Sequence, residues 1–496
     1  MNIDALTKIL DEEVTFYVDE LNTSDVYVEY HRRNGALCFE PIKSKFFEAF
    51  LNIRYCQLIE AWEKPEYKSM LALKEYEAIY DGENVVPIHR RVAGSIAEGN
   101  ITYFLADSLW RYVTVTPDSC NISAVSELKF LKGTMDTAQV IPKRGGDYLK
   151  LMLPKINMAP DDALLYAVYL IHAFSRNSSH FAAVISSSKG TGKSTLTKMS
   201  TELVSPTKSG VTIQPTSEDD LKTLLANGYV AAFDNTAPLS AGFSNVLCAA
   251  ITGSKAAKRK LYTNYDQVVL SLHNLILING IDIVPYKSDL MERSLYFELM
   301  PITGSKRRTD AEIWGEFYRD RPLILGAIFK TLRKAMKILP TVKIKNLHRM
   351  ADAHREMMAI AIALGIKQEE FQRILDANLE KLEEAYASNN PFVDFVLTFM
   401  QSRGSVDYAA AKLYREMEDA IVGDKSFFPK TPSLLSRRLN EEKEALLKNG
   451  YQFEKYKKET SNFIKISRVP QNQLTKSQKD AMARRKSLLE DASSEQ

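Results

Sequence analysis

The spacing of apolar and polar positions divides the chain into five stretches. Residues 1–150 open with helix-spaced apolar residues from 3 to 18, pass through the alternating run Val26-Tyr27-Val28-Glu29-Tyr30, and return to helical spacing between 43 and 60. Two more apolar runs, 100–105 and 110–115, read as paired strands, so this stretch is predicted to be an α+β domain. The Pro/Gly-rich segment Ile141-Pro142-Lys143-Arg144-Gly145-Gly146 reads as a linker. Residues 151–305 alternate short, wholly apolar runs with helix-period segments, the pattern of a parallel α/β sheet.

Residues 306–388 carry no strand signal and space Ile313, Phe317, Leu323, Ile328 and Leu332 at helical intervals, which predicts a helical bundle. Asn389-Asn390-Pro391 then punctuates the chain. The unit 389–468 reads as three helices followed by short strands at 451–456 and 462–467, the order of a winged helix. The tail 469–496, rich in Gln, Lys, Ser and Glu, reads as a loose helix or disordered.

Composition narrows the class. With 496 residues and 45% apolar content the chain has ample material for a large core. Its longest apolar stretches, 163–174 and 275–283, fall short of the roughly 18 residues a membrane span needs. The first residues, MNIDALTKILDEEV, place acids where a secretion signal needs a basic region, so a cytoplasmic location and no membrane partner are expected. Cys38, Cys56, Cys120 and Cys248 lack metal-binding or disulfide spacing, and the seven histidines form no metal motif. A formal charge of +3 says little by itself, but Lys255, Lys258, Arg259 and Lys260 cluster without an acid, as do Lys306, Arg307 and Arg308, and Arg484, Arg485 and Lys486. No aspartate pair on a strand within 1–165 suits two-metal nucleotide polymerisation, so priming activity is not expected there.

The strongest candidate chemistry follows the apolar run 181–185. There Ser187-Ser188-Lys189-Gly190-Thr191-Gly192-Lys193-Ser194-Thr195 turns through glycines into a helix, which is the design of a phosphate-binding loop. Ser188 through Thr195 are the predicted nucleotide contacts: Gly190 and Gly192 let backbone N–H groups surround an anion, Lys193 reaches the β- and γ-phosphates, and Ser194 ligates Mg²⁺. The first glycine of the usual pattern is Ser187 here. The alternative is an ordinary Gly/Ser/Lys turn in a βα unit.

Two later runs complete the candidate site. Tyr229-Val230-Ala231-Ala232-Phe233-Asp234 is an apolar strand ending in an acid able to hold Mg²⁺ through water, and Asn235 stands where many ATPases place a glutamate base. Glu218, Asp219 and Asp220 are substitutes for that base, or turnover is slow. Leu275-Ile276-Leu277-Ile278-Asn279-Gly280 presents Asn279 as a γ-phosphate sensor, although Asn-Gly is also a hairpin turn. Arg293 is a candidate arginine finger, with an i,i+4 pair to Asp289 as the alternative.

Together, Phe233-Asp234-Asn235-Thr236, Thr252-Gly253, Arg259-Lys260-Leu261-Tyr262-Thr263, Ile278-Asn279-Gly280-Ile281 and Asp289-Leu290-Met291-Glu292-Arg293 resemble the helicase-like ATPases of phages, plasmids and integrative elements, relatives of superfamily III helicases within the AAA+ class. The likeness continues through Arg307-Arg308-Thr309, Arg321-Pro322-Leu323 and Arg349-Met350-Ala351-Asp352, and reaches upstream to Val92-Ala93 and Trp110. The resemblance implies an AAA+-type P-loop ATPase core using ATP and Mg²⁺, a homo-oligomeric hexameric ring, and Arg293 acting on the neighbour's nucleotide. It also implies single-stranded DNA threading the centre, gripped by Lys255, Lys258, Arg259 and Lys260 on a hairpin, with a primase partner left open. In the last unit, Arg437 and Arg438 on one helix and the Lys-rich strands behind it are expected to bind duplex DNA.

The sequence therefore points to a DNA-dependent ATPase, a replicative helicase or initiator of a mobile element. The alternatives are a nucleotide-switched regulatory or anti-phage ATPase with little unwinding and a small-molecule kinase.

Overall fold

Val14, Thr15, Phe16, Tyr17 and Val18 are β-branched or aromatic, and this decides how the chain begins. In the computed structural model, which describes residues 3–236, 239–259, 267–280, 288–304, 307–388, 390–423, 425, 427–458, 461–470 and 472, the opening helix Ile3–Glu12 stops short of the expected 18 and Val14–Asp19 is a strand. Pleating turns Val14, Phe16 and Val18 to one face, where they join Leu6, Ile9, Val28, Phe47 and Leu51 in a buried cluster. The strand lies between antiparallel Val26–His31 and parallel Val85–Val86, with Leu37–Pro41 at the far edge. Helices Ile3–Glu12 and Lys45–Ile59 contribute to the same core.

A second antiparallel sheet runs Val92–Ser95, Asn100–Phe104, Tyr112–Val115, Cys120–Ser123. The strand expected from residue 110 starts at Tyr112, because Trp110 holds a left-handed φ of 55° and belongs to the preceding turn. Arg91, 2% exposed, ties this sheet to the segments around Thr137 and Pro206 by donating to the carbonyls of Phe104, Leu105, Thr137 and Pro206 at 3.1–3.3 Å. A buried guanidinium needs that many acceptors, since burying it unpaired costs several kcal/mol.

The third sheet is wholly parallel, in the order Val230–Phe233, Leu275–Gly280, Ala182–Ser186, Ser294–Glu298. Its central two strands are buried throughout, which is why they read as unbroken apolar runs. All four strands point the same way, so Ser186, Phe233 and Gly280 end their strands at one edge of the sheet. The 29-residue helix Asp310–Ile338, started by a Thr309/Glu312 capping box, buries Phe317, Ile328 and Leu332, and Ala351–Ala363 and Gln368–Ser388 come after it. The 141–146 segment is a packed strap: Lys143 N–H donates to the Pro322 carbonyl at 2.8 Å.

These parts form one unit, 1–283 with 292–379, and the expected boundaries near 150 and 305 fall inside it. The second unit comprises 284–291 and 380–496. There, helix Pro391–Gln401 leads to strand Ser405–Ala409, helices Ala410–Asp419, Pro432–Glu441 and Lys443–Lys448, and the hairpin Tyr451–Lys458/Ser461–Arg468. The strand at 405 is not expected from the sequence; it pairs with Ser461–Arg468, which becomes the middle of a three-stranded sheet. Val396, Met400, Val406, Leu413, Leu435, Leu439 and Ile464 fill the core beneath it. Of the tail from 469 to 496, all but 469, 470 and 472 lie outside the described residues. Among the described residues no helix is long and apolar enough to cross a membrane.

Candidate active site

The loop after Ala182–Ser186 is shaped by two left-handed glycines, Gly190 at φ 78° and Gly192 at φ 91°. Nothing lies within 4 Å of where a Cβ on Gly190 would sit, so the backbone faces open space there. Helix Lys193–Val204 starts directly after Gly192 with no side-chain cap, leaving its first turn suited to an anion. Lys193 Nζ donates to the carbonyls of Ser187 at 2.5 Å and Ser188 at 2.8 Å, which holds the ammonium over the loop. Ser187, the departure from glycine, needs no special backbone, because the described non-glycine residues with positive φ are Glu60, Ala106, Trp110 and Asn235. Its hydroxyl instead braces the loop against Thr191 Oγ1 and lies 3.2 Å from Lys193 Nζ.

Asp234 follows strand Val230–Phe233, and its Oδ1 accepts a 2.9 Å hydrogen bond from Ser194 Oγ. The two predicted Mg²⁺ ligands are thus adjacent although 40 residues apart. A hydroxyl and a carboxylate at the carboxyl edge of a parallel sheet, beside a phosphate loop, are the donor set that Mg²⁺ bound to a nucleotide takes. Asn235 has φ 51°, a conformation asparagine tolerates better than glutamate does.

Asn279 is 1% exposed, and both ends of its amide are engaged. Oδ1 accepts from Asn235 N–H at 3.1 Å and Nδ2 donates to Thr197 Oγ1 at 2.8 Å. Asn279 therefore couples the end of the aspartate strand to the phosphate-loop helix. Glu218, Asp219 and Asp220 form the first turn of helix Glu218–Asn227, where acids complement the helix dipole. Asp220 accepts from Ser217 Oγ and Asp219 pairs with Lys222, so these two have partners within their own turn.

Arg293 lies at the other end of the sheet. Ser294 pairs with Ala182 and Glu298 with Ser186, so Arg293 sits at the entry of its strand, roughly 16 Å of strand rise from the start of its own phosphate loop. Its carbonyl accepts from Ala182 N–H at 2.8 Å.

A cleft of ≈ 570 Å³ opens beside Gly190 and Gly192, walled by Met199, Ile302 and Ile313. Asn157, on its rim, donates to the carbonyls of Thr191 at 3.3 Å and Met300 at 2.6 Å, joining the loop to the segment after Ser294–Glu298. Lys155 and Arg308 bond Glu316 at 2.9 and 2.7 Å and hold its carboxyl below the usual range. Sequence reading misses this rim, since its residues come from three distant segments and share no motif.

Of the predicted DNA contacts, exposed Lys255 begins strand Lys255–Arg259, which pairs with Gln267–Ser271. Lys258 and Arg259 fall in that strand; Lys260 lies outside the described residues. The second strand is fixed by Asn22, whose Nδ2 donates to Val269 O at 3.0 Å and whose Oδ1 accepts from Val269 N–H at 2.8 Å. In the second unit Arg437 is exposed, 3.6 Å from Glu441. Arg438, expected to face DNA, is turned inward: it is 13% exposed and pairs at 2.9 Å with Glu442, itself 2% exposed. Glu442 also accepts from Tyr386 OH at 2.9 Å, and burial raises its pKa against the pull of Arg438. Arg438 is thus committed to a buried carboxylate.

In comparison with known proteins, residues 149–381 match the family of the actinomycete integrative conjugative element replication protein, and residues 392–484 match the C-terminal domain of that protein, RepA. No curated protein matches the chain. Among solved structures, an apo form of the NrS-1 C-terminal region is 13% identical with a TM-score of 0.40, covering 94% of this chain and 99% of that one. JCV helicase with a bound acetamide ligand is 15% identical with a TM-score of 0.23, covering 48% of this chain and 66% of that one.

Proposed function

We propose that this chain, similar over two long segments to the replication protein of integrative conjugative elements, is an ATP hydrolase that couples nucleotide turnover to movement along DNA. The observation that carries the reading is the contact of Ser194 with Asp234 beside the glycine-shaped loop and Lys193. Mg²⁺ bound there would neutralise phosphate charge. Lys193 then has its Nζ to exchange from the Ser187 and Ser188 carbonyls to phosphate oxygens, and Asn279 keeps the aspartate turn in register with the loop helix. Walls of Met199, Ile302 and Ile313 suit the base of ATP.

The position of Arg293 supports a reading of assembly. At the far end of its own sheet it has no reach to its own phosphate loop, so an arginine finger at this position serves a neighbouring copy, which favours a ring, a hexamer in our reading. Lys255 and its hairpin would track a single strand, with the unit of one helix, one strand, three helices and a hairpin read as a winged helix that offers Arg437 to duplex DNA. A second reading, a nucleotide-switched ATPase with little unwinding, is favoured by Asn235 in place of glutamate.

The test is steady-state ATP hydrolysis with and without single-stranded DNA, beside Lys193→Ala. DNA stimulation that disappears in that variant supports the motor. Tight nucleotide binding with flat, negligible turnover supports the switch and overturns the motor.

A further inference from the structure

Helix Asp310–Ile338 shows solvent an unusual face. Lys330, Arg333, Lys334 and Lys337 recur at i, i+3, i+4 and i+7, so they form one stripe, and all four are exposed. From Arg321 to Ala351 the sequence contains no acid. Like charges at these spacings disfavour a helix by a few tenths of a kcal/mol per pair, roughly, and no acid on this stretch of the helix offsets them.

The strap from 142 to 146 adds Lys143 and Arg144, both exposed, along the same surface. Strap and helix are fixed in close approach: a Cβ on Gly326 would lie 1.8 Å from the Lys143 carbonyl oxygen, and one on Gly146 would lie 2.4 Å from that of Leu323. Between them lies a cleft of ≈ 690 Å³, lined by Lys143, Arg144, Lys330 and Arg333, and bounded by the hairpin residues Asp118 and Ile122. Burial raises the pKa of the Cys120 thiol beside it, and Arg333 and Arg144 pull that pKa back down, so their positive field reaches the cleft floor. Among the described residues, Asp118 is the acid that answers the stripe. It lies 3.0 Å from Lys337, but at 89% and 56% exposure such a pair contributes little.

We propose that this cleft binds the phosphate backbone of a single DNA strand, as a site sharing no residue with the hairpin at Lys255 or the helix of Arg437. Lys330 to Lys337 spans about 10 Å of helix, enough for successive phosphates of an extended strand, with Lys143 and Arg144 gripping from the opposite wall. Concavity favours a strand over a lipid surface, which asks for a flat face with large exposed apolar anchors; the apolar residues here, Ile122 and Ile141, are each 42% exposed. The inference stands apart from the ATPase reading, since it needs no nucleotide.

The experiment measures binding of labelled oligo-dT to the full chain by anisotropy across a salt series, for wild type, for Lys330→Ala/Arg333→Ala/Lys334→Ala/Lys337→Ala, and for Lys143→Ala/Arg144→Ala. We expect the quadruple variant to bind about ten-fold or more weakly, with the log–log salt slope reduced by about 0.7 for each phosphate no longer neutralised. Its melting temperature stays equal or rises, because repulsion on the helix has been removed, and ATP turnover without DNA stays at the wild-type value. Lys330→Arg/Lys334→Arg/Lys337→Arg retains binding. Unchanged affinity and salt slope in both alanine variants overturn the proposal, as does loss of binding to phosphatidylserine vesicles with oligo-dT binding intact.

Discussion

Ser194 Oγ donates a 2.9 Å hydrogen bond to Asp234 Oδ1, joining the first turn of the phosphate-loop helix to the end of a strand two positions away in the sheet. If the pair holds Mg²⁺ on the nucleotide, Asp234→Asn keeps the hydrogen bond but removes the charge. We expect nucleotide affinity without Mg²⁺ to be unchanged and turnover to fall by about 10² or more, since a metal's charge stabilisation is worth several kcal/mol. Ser194→Ala should raise the Mg²⁺ concentration needed for half-maximal turnover. Titrations of turnover against Mg²⁺ on both variants decide this, and an unaltered Mg²⁺ dependence would remove the pair from the site.

Asn235 gives a sharper test of the catalytic design. Its φ of 51° suits asparagine, and a glutamate there takes on left-handed strain of about 1 kcal/mol. Restoring the common residue with Asn235→Glu should therefore lower stability by about that amount without raising turnover. Urea unfolding and ATP hydrolysis on the one variant measure both. A ten-fold gain in rate would instead show that the backbone admits a glutamate base here and that the natural chain has forgone it.

Legibility from sequence tracks the range of the interactions. The phosphate loop, the aspartate strand and the asparagine strand are readable because each is a local pattern: a buried parallel strand is a continuous apolar run, and a glycine turn announces itself. Ser187 reads as a defect in the motif, yet its backbone asks nothing of glycine and its hydroxyl braces Thr191. The hidden features come from pairs distant in sequence or from burial. Arg438 and Arg437 are adjacent and alike in composition, and only the buried Glu442 decides which of them faces inward. Residues 14–18 fit a helix because Val14 and Val18 share an i,i+4 spacing, and it is the pairing of Val14–Asp19 with Val26–His31 that makes them a strand.

Asn22 is the long-range contact with the clearest functional consequence. It mimics a neighbouring strand for Val269, at 2.8 and 3.0 Å, and so fixes the hairpin that carries Lys255 from a position 247 residues earlier than Val269. Asn22→Ala removes two hydrogen bonds, each worth about 1 kcal/mol. The expected result is a loss of DNA-stimulated turnover with basal turnover and melting temperature nearly unchanged, because the hairpin is loosened and the sheet is not. Equal loss of basal and stimulated rates would mean that Asn22 supports the whole unit.

Stability should fall on mild acidification, for a reason set chiefly by three imidazoles, His180 buried and His89 and His273 half-buried. Burial, helped by the Arg176 charge, lowers His89 and His273 to about 4, and burial together with His172, His273 and Arg176 holds His180 well below its usual value. These groups stay neutral in the folded protein, whereas in the unfolded chain they take up protons near pH 6.5. Their contribution is thus fully present above pH 6.5 and is lost as pH falls towards 4, by up to about 3 kcal/mol each for His89 and His273. The carboxyl of Glu316, held low by Lys155 and Arg308, and that of Asp320, held low by Arg319 and Lys155, lose their contribution only at lower pH, as protonation proceeds through and below the ordinary carboxylate range. Burial lowers His348 and His354 in the same direction, so the free energy of urea unfolding should decline between pH 7.5 and 4.5 with a slope of about three protons or more, and His273→Gln, which keeps a donor for the Ser178 carbonyl, should reduce that slope by about one. A flat profile down to pH 5 would show that protons reach these side chains without unfolding the protein.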